Sequence, residues 1–264
     1  MKQSLIILFT ALFLCYSCQQ EESIEGFSNN EEKTLNYLLE QGFDKSEIKP
    51  DFTTKTFVVG DMNVPFNLVQ NLEKNRESSN SKGLKNRYGF NVTNYDFTKS
   101  VFYYIESNFL EQYIFPLDWA TYYWTISSPN ISIRRTFDRS QADIICSSYF
   151  DQSDAAFARA ALPNGQGNVG TFLRINTAQP HQNYGFDSNM VLMIHEIGHN
   201  LGYQHSDQSL GFQIPNTGSI EFHQNNDCGS IMKSLPFNCG WTDDNVKRWS
   251  VSDRTAIEWG YRFQ

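Results

Sequence analysis

Residues 195–205 read HEIGHNLGYQH, and three of the five histidines in a 264-residue chain fall inside this stretch. The run leading into it, NMVLMIHEIGHNL, is rich in helix formers and predicts a helix, with Asp187, Ser188 or Asn189 as its cap. Positions four apart on a helix are offset by about 40° and about 6 Å along the axis, so His195 and His199 share one face. A helix continued six residues further would swing His205 about 240° away from His199. For all three imidazoles to meet, the helix has to stop and the chain has to turn back. Gly202 is the residue able to take the positive φ that this reversal needs.

Three neutral imidazoles that leave one coordination position open describe a catalytic zinc site, because a structural site fills all four positions with protein ligands. Glu196 is too close in sequence to reach the same ion easily, yet well placed to touch a water at the open position. There it can act as general base for attack on a carbonyl. HExxH alone also occurs by chance on ordinary amphipathic helices. Gly202 and His205 make the pattern far more demanding.

Downstream lies CGSIMKS, residues 228–234, which contains Met232. Taken together, H-E-x-x-H-x-x-G-x-x-H and this Ser-Ile-Met resemble the signature of metzincin zinc metallopeptidases. The chain is most similar to the bacterial "HEIGH" metallopeptidases, whose motif His195-Glu196-Ile197-Gly198-His199 spells. Ser206 matches the residue that follows the third histidine in matrixins. The resemblance implies zinc held by His195, His199 and His205, with Met232 in a tight turn beneath the site as soft apolar support and not as a ligand. Astacins and serralysins carry a tyrosine two residues after that methionine; here Ser234 stands there, so no tyrosine ligand is expected. QADIICSSY (141–149) resembles a strand of matrixin-like domains. AALPNGQGNVGTFLRIN (160–176) resembles the stretch leading into the edge strand over the substrate cleft, and SVSDRTAIEWGY (250–261) resembles the closing helix. The likeness is specific over roughly 140–262 and looser from about 88. It implies an α/β (α+β) fold: a metzincin-like zincin domain with a mixed twisted sheet packed on a central zinc-binding helix, plus a small N-terminal region.

These segments also have local physical readings. ADIICSSY is apolar and β-branched, as a buried strand should be, and places Cys146 as a buried free thiol. LPNGQG is turn chemistry. Ser250 or Ser252 with Asp253 reads as a helix start, and Ile257 and Tyr261 share a face of that helix. LDWATYYWTI (117–126) reads as a helix with Leu117, Tyr123 or Trp124, and Ile126 facing the core.

At the amino terminus, Lys2 precedes a short apolar run from Leu5 to Leu14, too short to span a bilayer and typical of a signal segment. It ends in Ser17-Cys18, which resembles a bacterial lipoprotein: 1–17 as signal peptide, Cys18 lipidated, 18–30 a polar tether. Ordinary secretion with cleavage nearby is the alternative. The expected location is the bacterial outer membrane, on its periplasmic or surface side, with the membrane touched only through the lipid. The net charge of −8 argues against nucleic acid or anionic lipid as partner. Apart from Cys15 and Cys18 at the end of the leader, no C-x-x-C spacing is present to support a cysteine-rich zinc site. Cys228 and Cys239 bracket the methionine turn and could form a disulfide that stiffens it.

Residues 31–87 form the small N-terminal region or propeptide: EEKTLNYLLEQGF as a helix ended by Gly42, TKTFVVGDMNV as a strand or hairpin, and NRESSNSKGLKNR (75–87) as a linker open to proteolysis. The catalytic domain is expected over 88–264. No cysteine lies between Cys18 and Cys146 to silence a zinc site; Asp61 is a weak candidate to do so, and the plainer reading is a turn residue. Asp207 is either support for a ligand imidazole or a loop residue. His181 and His223 read as surface or loop histidines. The function expected is a monomeric zinc endopeptidase acting on protein or peptide. The rival readings are a surface lipoprotein with a non-catalytic zinc site and a hydrolase of a non-protein amide such as a peptidoglycan crosslink.

Overall fold

The computed structural model describes residues 26–78, 99–128, 131–164, 168–181, 184–206, 230–232, 253, 254 and 257. Cys18, Asp207, His223, Cys228, Ser234 and Cys239 lie outside the described residues. Among the described residues, helices and strands run in the order α1 (Asn29–Glu40), β1 (Lys49–Asp51), β2 (Thr56–Val59), β3 (Met62–Pro65), α2 (Leu68–Ser78), β4 (Lys99–Ile105), α3 (Ile114–Ser127), β5 (Ile131–Arg135), β6 (Ile144–Tyr149), β7 (Ala158–Ala161), β8 (Phe172–Asn176) and α4 (Phe186–Asn200), and Asp253, Arg254 and Ile257 are also helical. The helix α2 runs to Ser78 and so takes up the first residues of the stretch read as linker.

The strands form one mixed sheet in the order β1-β2-β3-β7-β8-β6-β4-β5. From β8 to β5 the neighbours are parallel, while β7 lies antiparallel to β8. The β2–β3 hairpin turns at Gly60-Asp61, and β3 then pairs parallel with β7 through Met62↔Ala160 and Asn63↔Ala161. The N-terminal region therefore extends the same sheet.

Two clusters of buried side chains follow the same division. The larger joins Val101, Tyr103, Ile133, Ile144 and Cys146 from the sheet to Leu117 and Trp124 of α3 and to Met190–Ile194 and Ile197 of α4. The smaller gathers Leu35, Leu38, Phe57, Val59, Met62, Val64 and Leu68 of the N-terminal region around Leu162, just past β7. Cys146 is buried and free, as expected of a strand thiol, and burial pushes its pKa up.

The helix α3 is apolar on nearly every side. Leu117, Ala120, Thr121 and Trp124 point inward at helical spacing. Trp124 rather than Tyr123 is the aromatic of the core, and its indole N–H donates to the Ile194 carbonyl at 2.9 Å. Ile126, expected to face the core, is 58% exposed, because it lies on the opposite side of the helix with Phe115, Trp119 and Tyr122.

Candidate metal centre

The helix α4 begins at Phe186 with Gly185 as its cap and no side-chain cap bond, so none of Asp187, Ser188 or Asn189 caps it. Its end is as the sequence requires. Leu201 closes the helix and Gly202 follows at φ +99°. The Gly202 amide donates to the His199 carbonyl and the Tyr203 amide to the Gly198 carbonyl, each at 2.9 Å, the paired bonds of a left-handed glycine stop. That reversal brings His205 back beside α4.

The three imidazoles converge. The Nε2 atoms of His195 and His199 are 3.0 Å apart, and each lies 3.2 Å from Nε2 of His205. His195 Nδ1 faces the Ile231 carbonyl at 2.6 Å and His199 Nδ1 the Tyr203 carbonyl at 2.8 Å. Both Nδ1 atoms are therefore assigned as the N–H donors, leaving the Nε2 lone pairs turned toward a common point. All three rings are buried, and burial beside His195 lowers the His199 pKa to about 4. Neutral lone pairs packed this closely fit a cation between them. Tetrahedral ligands about 2.0–2.1 Å from a zinc stand about 3.3 Å apart, close to the observed spacing.

Asp61 faces the same point. Its Oδ1 is 3.0 Å from His205 Nε2 and 3.6 Å from His199 Nε2, and its Oδ2 is 3.4 Å from His195 Nε2. Burial alone would raise the Asp61 pKa, but the surrounding imidazoles, His205 foremost, draw it well below the usual value. Asp61 is thus both a turn residue and a partner of the histidines. Together Asp61, His195, His199 and His205 form the one group among the described residues able to hold a metal ion.

Glu196 is fully buried and neither carboxylate oxygen has a hydrogen-bond partner. Burial, and then the Asp61 charge, raise its pKa well above the ordinary value, against a smaller opposing pull from Arg159. The charge of Arg159 is therefore felt at the site.

Under the helix, Met232 is buried against Gly198. Its segment is fixed by Asp253, which accepts from Ser230 Oγ at 2.8 Å and from the Ile231 amide at 2.9 Å, and by the Ser206 amide donating to the Met232 carbonyl at 2.7 Å. The chain of contacts from Asp253 through Ile231 to His195 Nδ1 thus orients a ligand ring. At the far end of α4, the buried Asn200 amide donates to the Ala161 and Phe172 carbonyls at 3.0 and 2.8 Å, tying the helix to β7 and β8. Sequence reasoning assigned nothing to Gly198, Asn200 or Arg159. A glycine inside a helix that is otherwise well suited to form was the available signal for the first. His181, read as a surface or loop histidine, lies in the connection between β8 and α4 and is buried there. Its Nδ1 pairs with the Tyr113 hydroxyl at 2.7 Å and its Nε2 with the Asn176 carbonyl, beside Phe157.

Fold and site together define a mixed α/β protein with a buried three-histidine, one-aspartate cluster suited to a metal ion. Neither family models nor curated proteins match the chain. Among solved structures it is similar to myroilysin, at 17% identity and a TM-score of 0.43 over 66% of this chain and 97% of that one. It is also similar to high choriolytic enzyme 1, a hatching enzyme zinc-protease from the medaka fish Oryzias latipes, at 16% identity and a TM-score of 0.40 over 69% of this chain and 98% of that one.

Proposed function

We propose that this protein is a zinc-dependent endopeptidase of the metzincin type, held latent by Asp61 until the segment 31–87 is released. The observation that carries the reading is the convergence of three Nε2 atoms beside a buried, unpartnered Glu196 carboxyl. His195, His199 and His205 hold the metal. Zinc bound there acidifies water and polarises a carbonyl oxygen. The chain's own part in the reaction is proton handling and positioning. Glu196, raised in basicity by its dry surroundings, takes the proton of the attacking water and passes it to the leaving amine. The backbone carbonyls of Ile231 and Tyr203 keep the imidazoles in the tautomer that leaves Nε2 free. Met232 fills the space below with a soft apolar side chain.

Asp61 occupies the position a substrate carbonyl and water need, and β3 occupies the edge of β7. Release of the N-terminal region vacates both. We further propose that the leader 1–17 and a lipid on Cys18 place the protein at the bacterial outer membrane. Among the described residues, no helix is long and apolar enough to cross a membrane.

Two measurements test the proposal: metal content of the purified chain, and cleavage of a broad peptide library before and after proteolysis near residues 79–87. One zinc per chain and activity that appears on cleavage are expected. Metal content near zero, or an inert product, would overturn the reading.

A further inference from the structure

Arg159 lies on β7, the strand that receives β3. Asp154 holds its guanidinium by two bonds, Nε to Oδ2 and Nη2 to Oδ1, both at 2.6 Å, and the Tyr149 hydroxyl donates to the same Oδ2 at 2.6 Å. All three residues belong to the β6–β7 stretch, so the head group is fixed without help from the N-terminal region. Arg159 and Asp154 are only 15% and 10% exposed. A buried ion pair of this kind contributes little net stability, but it orients what remains. What remains is Nη1, which donates to the carbonyl of Gly60, the residue before Asp61.

Apart from the Asp61 carboxylate against the imidazoles and the buried side chains of Val59 and Met62, the turn has few ties. β3 meets β7 at only two register positions, with the Ala160 amide donating to the Asp61 carbonyl at 3.2 Å and the Leu162 amide to the Asn63 carbonyl at 2.9 Å. A Cβ at Gly60 would meet nothing within 4 Å, so Gly60 itself is held by its main chain alone. Main chain of β7 grips the turn on one side and the guanidinium grips it on the other.

We propose that Arg159 is a positioning residue for latency: a clamp, anchored in the catalytic part, that holds the Gly60-Asp61 turn over the three histidines. This rests on the zinc endopeptidase reading above and names the contact that regulates the same site. Opening of the hairpin begins with loss of the Arg159–Gly60 bond. Because Asp154 and Tyr149 keep the guanidinium in place, the hairpin can close again onto a preformed donor.

The test uses the full chain with its linker intact and compares Arg159→Met, Arg159→Lys and Asp61→Asn with wild type. Hydrogen–deuterium exchange is followed over residues 56–65, in zinc-free and zinc-loaded protein. Loss of a bond to a charged group predicts exchange about 10- to 100-fold faster in Arg159→Met. Peptides from β4 and β5, which lie away from Asp154, should be unchanged, and Arg159→Lys should recover part of the protection. Peptide cleavage by the uncut chain should rise in step. Exchange over 56–65 equal to wild type in Arg159→Met overturns the clamp. Should that variant not fold, Asp154→Asn keeps the arginine but frees its head, and unchanged exchange there overturns it equally. If Asp61→Asn and the linker-cut chain both cleave nothing, the endopeptidase reading fails, while the exchange data still decide the clamp.

Discussion

Gly198 and Met232 fit against each other with no room for a side chain between them: a Cβ on Gly198 would stand 2.4 Å from Met232 Sδ and 2.9 Å from its Cε. Trp124 closes the remaining direction, with Cζ2 at 3.3 Å from the same point. Gly198 is thus what lets the thioether lie this close under α4.

Gly198→Ala sets two effects against each other. Alanine favours the helix by about 1 kcal/mol, while overpacking a tight core costs about 1–3 kcal/mol. The overpacking should win in the wild-type background, giving net destabilisation of up to about 2 kcal/mol by urea unfolding. In a Met232→Ala background the same substitution should become stabilising. An unchanged sign would show that Met232 is not what excludes a side chain at 198.

Glu196→Gln keeps the shape of the side chain and removes the proposed base. Zinc content and thermal midpoint should stay near wild type, because neither carboxylate oxygen has a protein partner to lose. The kcat/KM of the linker-cut chain on a peptide should fall about 100- to 10,000-fold. Retention of activity within a factor of two or three would assign the proton transfer to another group.

Asp253→Ala removes the acceptor for Ser230 Oγ and the Ile231 amide in a buried setting. The expected cost is about 1–3 kcal/mol of stability. Since the Ile231 carbonyl also orients His195, zinc affinity should drop about 10- to 100-fold in a competition titration with a chelator. Stability lost with unchanged affinity would separate the Met232 turn from the metal site.

The pH dependence of folding should carry the mark of Asp154. Burial raises its pKa, but the bonds from Arg159 and Tyr149 and the Ala156 amide outweigh this and hold it below the ordinary value of 3.8. A folded-state value below the unfolded one means that the unfolded chain takes up the proton first. The stabilisation is therefore present in full above about pH 4 and fades as the pH falls through the folded-state value. Asp154→Asn should differ most from wild type near pH 6 and least near pH 3. A constant gap between the two unfolding curves across that range would contradict it.

The metal cluster was legible in the sequence because its logic is local. Four-residue spacing places His195 and His199 on one helix face, and a single glycine at 202 permits the return of His205. The strand around Cys146 and the α1 helix ending at Gly42 were readable for the same reason, since apolar pattern and turn chemistry act over a few residues. Contacts between distant segments were not. Asp61 could be named only as a weak candidate, because it reaches the histidines through the pairing of β3 with the edge of β7, and no periodicity announces which strand edges will pair in parallel. The burial of His181 depends on Tyr113 and Phe157 arriving from other elements. The inward turn of Trp124 in place of Tyr123 was left open because α3 is apolar all round, so its pattern does not single out one face.

The parallel seam between β3 and β7 has a consequence beyond the proposed latency. Once the hairpin departs, β7 becomes the outermost rung on that side of the sheet and presents bare main-chain donors and acceptors to solvent. Under the proposed release, maturation would create adhesiveness along with activity. The liberated form should self-associate or capture extended chains more readily than its precursor, and a short strand mimicking Met62–Pro65 should act as a plug.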